Sequence, residues 1–428
     1  MTPEQIEKLG PAFADYLQQF APCCDYPQTC HLLGVYCRGL LSDLARKSAE
    51  PIALASGTAV RTLQEFLRDH QWSFTLARCT LQEHVAALLP GLADDGLGTV
   101  GVVDESGTRK KGTKTPGVQR QHCGELGKLE NCVVTVHLGV ARGRFQTLID
   151  ADLFLPQSWD QDRDRCREAG IPDHVVYRPK WQIAARQVLR AQANGVRLDW
   201  LTFDEGYADK PGFLRELDRQ GLRYVGEVPK SFRCFTAPPR PAEAGHRADD
   251  LLRHSPMFYA QPWQTFALAR QTLGAQIWQA KAARVWLRLD GAVGAGTYWL
   301  IGAKNERTGE HKYFVAAAPE GTPLALLLRV GFTRWHVEHG LRLSKSELGF
   351  RHFEGRSYVG LMRHLTLCCV TLTFAAEQAE GLRGEKSGGD GGASLSGSEL
   401  GVPGLAGAVA GDEPVAVYGG GHWLSPAA

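Results

Sequence analysis

Residues 199–228 read DWLTFDEGYADKPGFLRELDRQGLRYVGEV. An apolar run, Trp200–Phe203, ends at Asp204. Residues 210–219 then place apolar side chains at helical spacing until Gly221 stops them, and a second apolar run, LRYVGEV, follows. Strand, acid, helix and strand in thirty residues imply a sheet whose strands alternate with helices. Toward the N-terminus, residues 180–193 have helical spacing and end at Asn194-Gly195. Residues 132–156, CVVTVHLGVARGRFQTLIDADLFLP, form two strand-like runs about Arg142-Gly143-Arg144, a predicted hairpin. Before them GTVGVVDESG (98–107) is a short apolar run that closes at Asp104. Three early strands followed by alternating helix and strand predict a mixed α/β sheet.

Toward the C-terminus the character changes. The stretch 229–325 opens with the Pro-rich APPRPAEAG and continues with VWLRLD, TYWLIGAK and KYFVAAAP, the last two joined by the hairpin loop NERTGE. It is a β-rich insertion. Residues 332–346 and 358–380 read as helices, whereas 384–428 hold 13 glycines in 45 residues and predict a disordered tail. Residues 1–97 carry helix-period patterns. Within them Ser48 is a candidate N-cap with Pro51 in the first turn, Gly57-Thr58 a turn, and Ala59–Arg68 a second helix. The pair is compatible with a helix-turn-helix and equally with two helices of a bundle. The expected divisions are therefore 1–97, 98–228, 229–325, 326–383 and 384–428.

The 428 residues are 43% hydrophobic and 22% charged, which excludes a wholly disordered, collagen-like or disulfide-stapled chain. The start, MTPEQIEKLG, lacks the order of a signal peptide. Tyr358–Ala376 is interrupted by Arg363 and His364 and reads as a buried helix, so no membrane is expected. Eleven unevenly spaced cysteines point to reduced thiols and a cytoplasmic protein. Net charge is only +2, so a polyanionic partner has to be met by local basic patches. Three decoys fail on spacing: Gly107–Lys114 as a phosphate loop, His336 and His339 as zinc ligands, and Cys23, Cys24, Cys30 and Cys37 with His31 as a zinc finger.

Three carboxylates stand out by place. Asp104 and Asp204 close apolar runs, and Glu338 lies in the helical FTRWHVEHGLRLSKSELGF. Each alone is ordinarily a solvated acid or a helix cap. If the two strands are neighbours and the helix crosses their ends, three hard oxygen ligands converge, as two Mg²⁺ ions require for displacement at phosphorus. Arg334, Glu338, Leu341 and Lys345 share one helical face, setting a cation on either side of the acid. Arg109, Lys110, Lys111, Lys114 and Arg120 form a basic run beside Asp104, suited to a nucleic-acid backbone.

Arg334-x3-Glu338-x6-Lys345 resembles the last-acid signature Tyr-x2-Arg-x3-Glu-x6-Lys of the DDE transposases of bacterial insertion sequences, with Gly331 at the tyrosine position. VVDESGTRKKG resembles that family's first-acid segment, LTFDEGYADKPGFLRELDRQGLRYV its second, and ELGFRHFEGRSYVGLMRHLTL the region after the glutamate. The resemblance spans about residues 10–380. It implies an RNase H-like mixed sheet with a β-rich insertion before the last catalytic helix, preceded by an α-helical domain that binds transposon ends. Asp104, Asp204 and Glu338 would then be catalytic metal ligands for two Mg²⁺ ions, with Mn²⁺ as substitute. Arg334, Lys345, Arg109, Lys110 and Lys111 would contact DNA phosphates. At the first acid the alternatives are Asp104 and Glu105: Asp104 fits the family's Asp-x-Ser register and is taken here, while Glu105 points to the opposite face of the strand. One of Trp263, Trp278, Trp286 and Trp299 would be free to stack on an unpaired base, although tryptophans ordinarily pack cores. The implied partners are transposon-end DNA with inverted repeats, target DNA and a second copy in a synaptic homodimer, in the bacterial cytoplasm at the nucleoid. The alternative is a non-catalytic DNA-binding relic.

Overall fold

The computed structural model describes residues 3–124, 126–270 and 274–387, with side chains placed for 9–124, 126–268, 276–334 and 347–382. The glycine-rich segment 388–428 lies outside the described residues. Five helices open the chain: α1 (Pro3–Gln18), α2 (Pro27–Leu41), α3 (Ala49–Ser56), α4 (Val60–Arg68) and α5 (Phe74–Leu88). The turn between α3 and α4 falls at Gly57, whose φ of 67° suits glycine. Ser48 occupies the N-cap of α3, but its hydroxyl donates to Glu354 Oε2 instead of capping the helix. Ser73 does cap α5, accepting from the Leu76 N–H at 3.1 Å.

Four strands follow: β1 (Val100–Arg109), β2 (Gln119–Cys123), β3 (Lys128–Arg142) and β4 (Phe145–Leu153). The β3–β4 hairpin turns at Gly143 (φ 55°), where an added Cβ would lie 2.5 Å from the Ala93 carbonyl oxygen. β1 does not stop at Asp104. It runs five residues further because Glu105–Arg109 pair with Cys132–Val136 of β3, a long-range contact that overrides their polar sequence. Next come α6 (Gln157–Asp160), α7 (Arg163–Glu168), α8 (Lys180–Ala193), β5 (Trp200–Phe203), α9 (Glu205–Ala208), α10 (Pro211–Arg219) and β6 (Tyr224–Val228).

The β-rich stretch holds β7 (Arg233–Cys234), β8 (His246–Arg247), α11 (Ala248–His254), α12 (Pro256–Tyr259), β9 (Gln264–Arg270), β10 (Gly274–Leu289), β11 (Ala292–Asn305) and β12 (His311–Ala317). In the β11–β12 loop, the Asn305 side chain accepts from the N–H groups of Arg307 and Thr308. The long strands do not form a separate body. β12 pairs antiparallel with β6, so one ten-stranded sheet runs β2-β3-β1-β5-β6-β12-β11-β10-β9, with β4 on β3. Among the described residues, only β1–β5 and β5–β6 are parallel.

Two long helices end the described residues, α13 (Leu324–Glu347) and α14 (Tyr358–Ser387). α13 starts well before residue 332 because Leu327, Leu328 and Val330 are fully buried against the sheet. α14 contains a stretch, Tyr358–Leu382, long and apolar enough to cross a membrane, but most of it is buried between α2, α4, α5 and β4.

Candidate active site

The site grows from the parallel pair at the centre of the sheet. Val100, Gly101 and Val102 of β1 pair with Trp200, Leu201 and Thr202 of β5. The pairing ends two residues before Asp104 on β1 and two before Asp204, which follows β5. Asp204 ends β5 and caps α9, accepting from the Tyr207 N–H at 3.3 Å. α13 packs on β1, β5 and β6.

Alternation along β1 separates the two neighbouring acids. Asp104 pairs with His137 of β3, and the His137 ring meets Phe350, just beyond α13, at 4.9 Å. Cross-strand partners project to the same face. Asp104 therefore belongs to the face that carries the chain leaving α13. Glu105 instead binds the Lys180 ammonium of α8 at 2.8 Å. Its charge still reaches the site. Burial raises the Asp204 carboxyl above its ordinary pKa; Arg334 opposes that rise, and Glu105 adds to it. The neighbouring Glu205 is raised by burial and by Glu227 and Asp204, against Lys312 and Arg334.

Arg334 reaches this cluster from α13. Its guanidinium lies 3.0 Å from Glu227 Oε2 on β6, each side chain 14% exposed, and Lys312 of β12 binds the other oxygen of the same carboxylate. Glu227, Lys312 and Lys180 were not singled out from sequence. A signal existed for Glu227, an acid inside the otherwise apolar run LRYVGEV, whereas the lysines enter through tertiary contacts.

Glu338 and Lys345 lie on α13, and their side chains are outside the described ones. Among the described residues no three His, Cys, Asp or Glu side chains form a metal-holding group. The described donors nevertheless fit a hard divalent cation. They are all carboxylate oxygens, and a buried acid raised by burial and by a second acid is the environment such a charge relieves.

The basic run divides. Arg109 and Lys111 are exposed, Arg109 only 3.9 Å from Glu130. Lys110 turns inward, donates to the Phe353 carbonyl at 2.6 Å and is pushed down to about 8 by burial. Its ammonium is thus engaged with a backbone carbonyl of the connector after α13. Trp278 is 1% exposed in the core, while Trp263 and Trp299 are partly exposed beneath Lys281 and Arg284. Gly331 stands at the tyrosine position, where an added Cβ would lie 3.1 Å from the Phe314 ring and 3.2 Å from Val225, so those side chains would have to give by a few tenths of an ångström to admit a side chain.

The chain matches the family described as DDE superfamily endonuclease over residues 19–288, more than half its length. That span contains Asp104 and Asp204 and ends before α13. A relative described as a probable transposase for insertion sequence element IS701, from Microchaete diplosiphon, is 27% identical over 327 residues, 75% of each chain. Among solved structures, the piggyBac transposase synaptic complex with hairpin DNA is similar at a TM-score of 0.42 and 10% identity. That likeness covers 83% of this chain, which spans 66% of the other.

Proposed function

Since the chain belongs to the DDE superfamily of endonucleases, we propose that it is a transposase that cuts DNA at insertion-sequence ends and joins them to target DNA. Asp104, Asp204 and Glu338 would hold two Mg²⁺ ions, or Mn²⁺ in their place, on an RNase H-like sheet. When bound, such ions neutralise charge that develops in an in-line displacement at phosphorus. The chain's own groups do the rest. Arg334, steadied by Glu227, stands beside Asp204 to take a phosphate oxygen, and Lys345, Arg109 and Lys111 track the backbone. Asp204 is kept in place by its cap on α9. The freed 3′-hydroxyl then attacks target DNA in the same site, without a covalent protein–DNA bond. The α3–α4 pair is the candidate reader of the terminal repeats, and two copies would hold the paired ends, in the bacterial cytoplasm at the nucleoid.

The observation that carries this reading is the β1–β5 register, which supports Asp104 and Asp204 as neighbours under α13. The rival, a DNA-binding relic without chemistry, draws on Gly331 in place of tyrosine. Asp204→Asn is expected to abolish Mg²⁺-dependent cleavage of an end-containing duplex while end binding persists. Unchanged cleavage would remove Asp204 from the site.

A further inference from the structure

Two helices that are distant in sequence end on one buried cation. Lys47, in the connection from α2 to α3, is 4% exposed. Its ammonium donates to the Leu40 carbonyl in the last turn of α2 at 2.9 Å and to the carbonyl of Glu347, the last residue of α13. A helix C-terminus leaves carbonyls without intrahelical donors and carries partial negative charge. One ammonium between two such ends serves both.

The neighbours of Lys47 tighten this junction. The Lys47 N–H donates to His352 Nδ1 at 3.0 Å. Arg46 pairs with Glu354, and the Ser48 hydroxyl donates to the same carboxylate at 3.2 Å. The turn after α13 passes so close that a Cβ on Gly349 would lie 2.6 Å from the Lys47 Cβ, and Gly349 has a φ of 68°. Residues 46–48 thus hold the connector 347–354 at several points.

We propose that Lys47 is a positioning residue for strand cleavage: by fixing the C-terminal end of α13 against the N-terminal helices, it sets where Glu338, nine residues upstream, stands. This rests on reading Glu338 as a catalytic ligand. An α-helix is stiff over nine residues, so a shift at its end is carried to the acid, and a misplacement of about 1 Å costs on the order of 100-fold in rate.

The test compares wild type with Lys47→Met, which keeps the stem and loses the donors, and with Glu354→Gln, which loosens the clamp at an exposed position. For Lys47→Met the expected results are single-turnover cleavage slower by about 10–100-fold, a higher half-saturating Mg²⁺ concentration, unchanged affinity for end DNA in Ca²⁺, and faster amide exchange in the last turns of α13. Glu354→Gln should move the same readouts in the same direction by a smaller factor, and it covers the case in which Lys47→Met does not fold. Wild-type rate, Mg²⁺ dependence and exchange in both variants would overturn the proposal. If wild type itself never cleaves end DNA, the transposase reading falls instead, and amide exchange alone decides whether the clamp holds α13.

Discussion

Glu227 decides where the Arg334 guanidinium stands. It accepts from Arg334 and Lys312 together in a largely buried position beside Asp204, and Lys312 also lies 3.6 Å from Glu310. Glu227→Gln keeps the shape and removes its charge. We expect single-turnover cleavage to fall about 10-fold or more, and stability to fall by about 1–3 kcal/mol, as for weakened charged hydrogen bonds. Urea midpoints and cleavage rates check both, and no change in either would free Arg334 from Glu227. His364 makes a prediction in pH. It is fully buried, with Nδ1 2.9 Å from the Tyr36 hydroxyl and Nε2 against the Gly349 and Phe350 carbonyls. Burial pushes it down to about 4, with Lys110 and His352 pushing the same way and the two carbonyls opposing. Unfolded, it titrates near its ordinary value, about 6.5. Between those values the unfolded chain holds more protons than the folded one, so stability is full above pH 6.5 and is lost as pH falls toward 4. The expected loss from this residue is about 3 kcal/mol. The stability gap between wild type and His364→Gln should narrow by that order between pH 7 and 4. A gap that is constant with pH would show that His364 does not titrate differently on folding.

At the scale of elements, α13 is placed by close approach at one end and by the Lys47 clamp at the other. Gly331→Tyr would restore the family signature in letters and is expected to fail in structure. The ring would have to displace Phe314 and Val225, and such overpacking costs typically 1–3 kcal/mol. A lowered melting temperature without faster cleavage is the expected outcome; a faster, stable variant would show that the helix can lift. The same contrast between local and distant causes explains what the sequence makes legible. The hairpin at Gly143, α8 from Lys180 to Ala193 and the stop of α10 before Gly221 follow from signals within a few residues, and the structure places them there. The continuation of β1 through Glu105–Arg109 depends on β3, and the joining of 229–325 to the sheet depends on β12 meeting β6; neither leaves a local mark. The end of β5 at Asp204 is marked locally, whereas Asp104 sits mid-strand in β1 and only the apolar run before it drew attention to it. Lys47, Lys180 and Lys312 could not be read, because what distinguishes them from other lysines is a partner 75 to 300 residues away.

At the scale of the whole molecule, the N-terminal helices and the sheet share one continuous core. Phe13 packs on Phe374 of α14 with ring centroids 4.6 Å apart, and the Tyr16 hydroxyl donates to the Val370 carbonyl at 2.9 Å. Arg363 of α14 donates to the carbonyls of Phe66, Leu67, His70 and Trp72, closing the C-terminal end of α4. Across the other side, Arg78 of α5 and Arg190 of α8 share the carboxylates of Asp150 and Asp152 on β4. Breaking such a buried network by removing one partner costs about 3–5 kcal/mol. α14 is thus a central helix whose apolar surface needs a cover on every side. Leu361, Met362, Leu365, Leu367, Val370 and Phe374 are each at most 4% exposed. Uncovering three or four of them at about 1.5–3 kcal/mol each removes an amount comparable with the whole stability of a domain, about 5–15 kcal/mol. A chain beginning at residue 98 is therefore expected to be insoluble or molten, despite holding every strand of the large sheet and all three catalytic candidates. The full chain should unfold in one transition seen alike by far-UV and near-UV circular dichroism. A soluble 98–387 fragment with its own cooperative melt would show instead that the helices are an independent module, free to read DNA apart from the catalytic sheet.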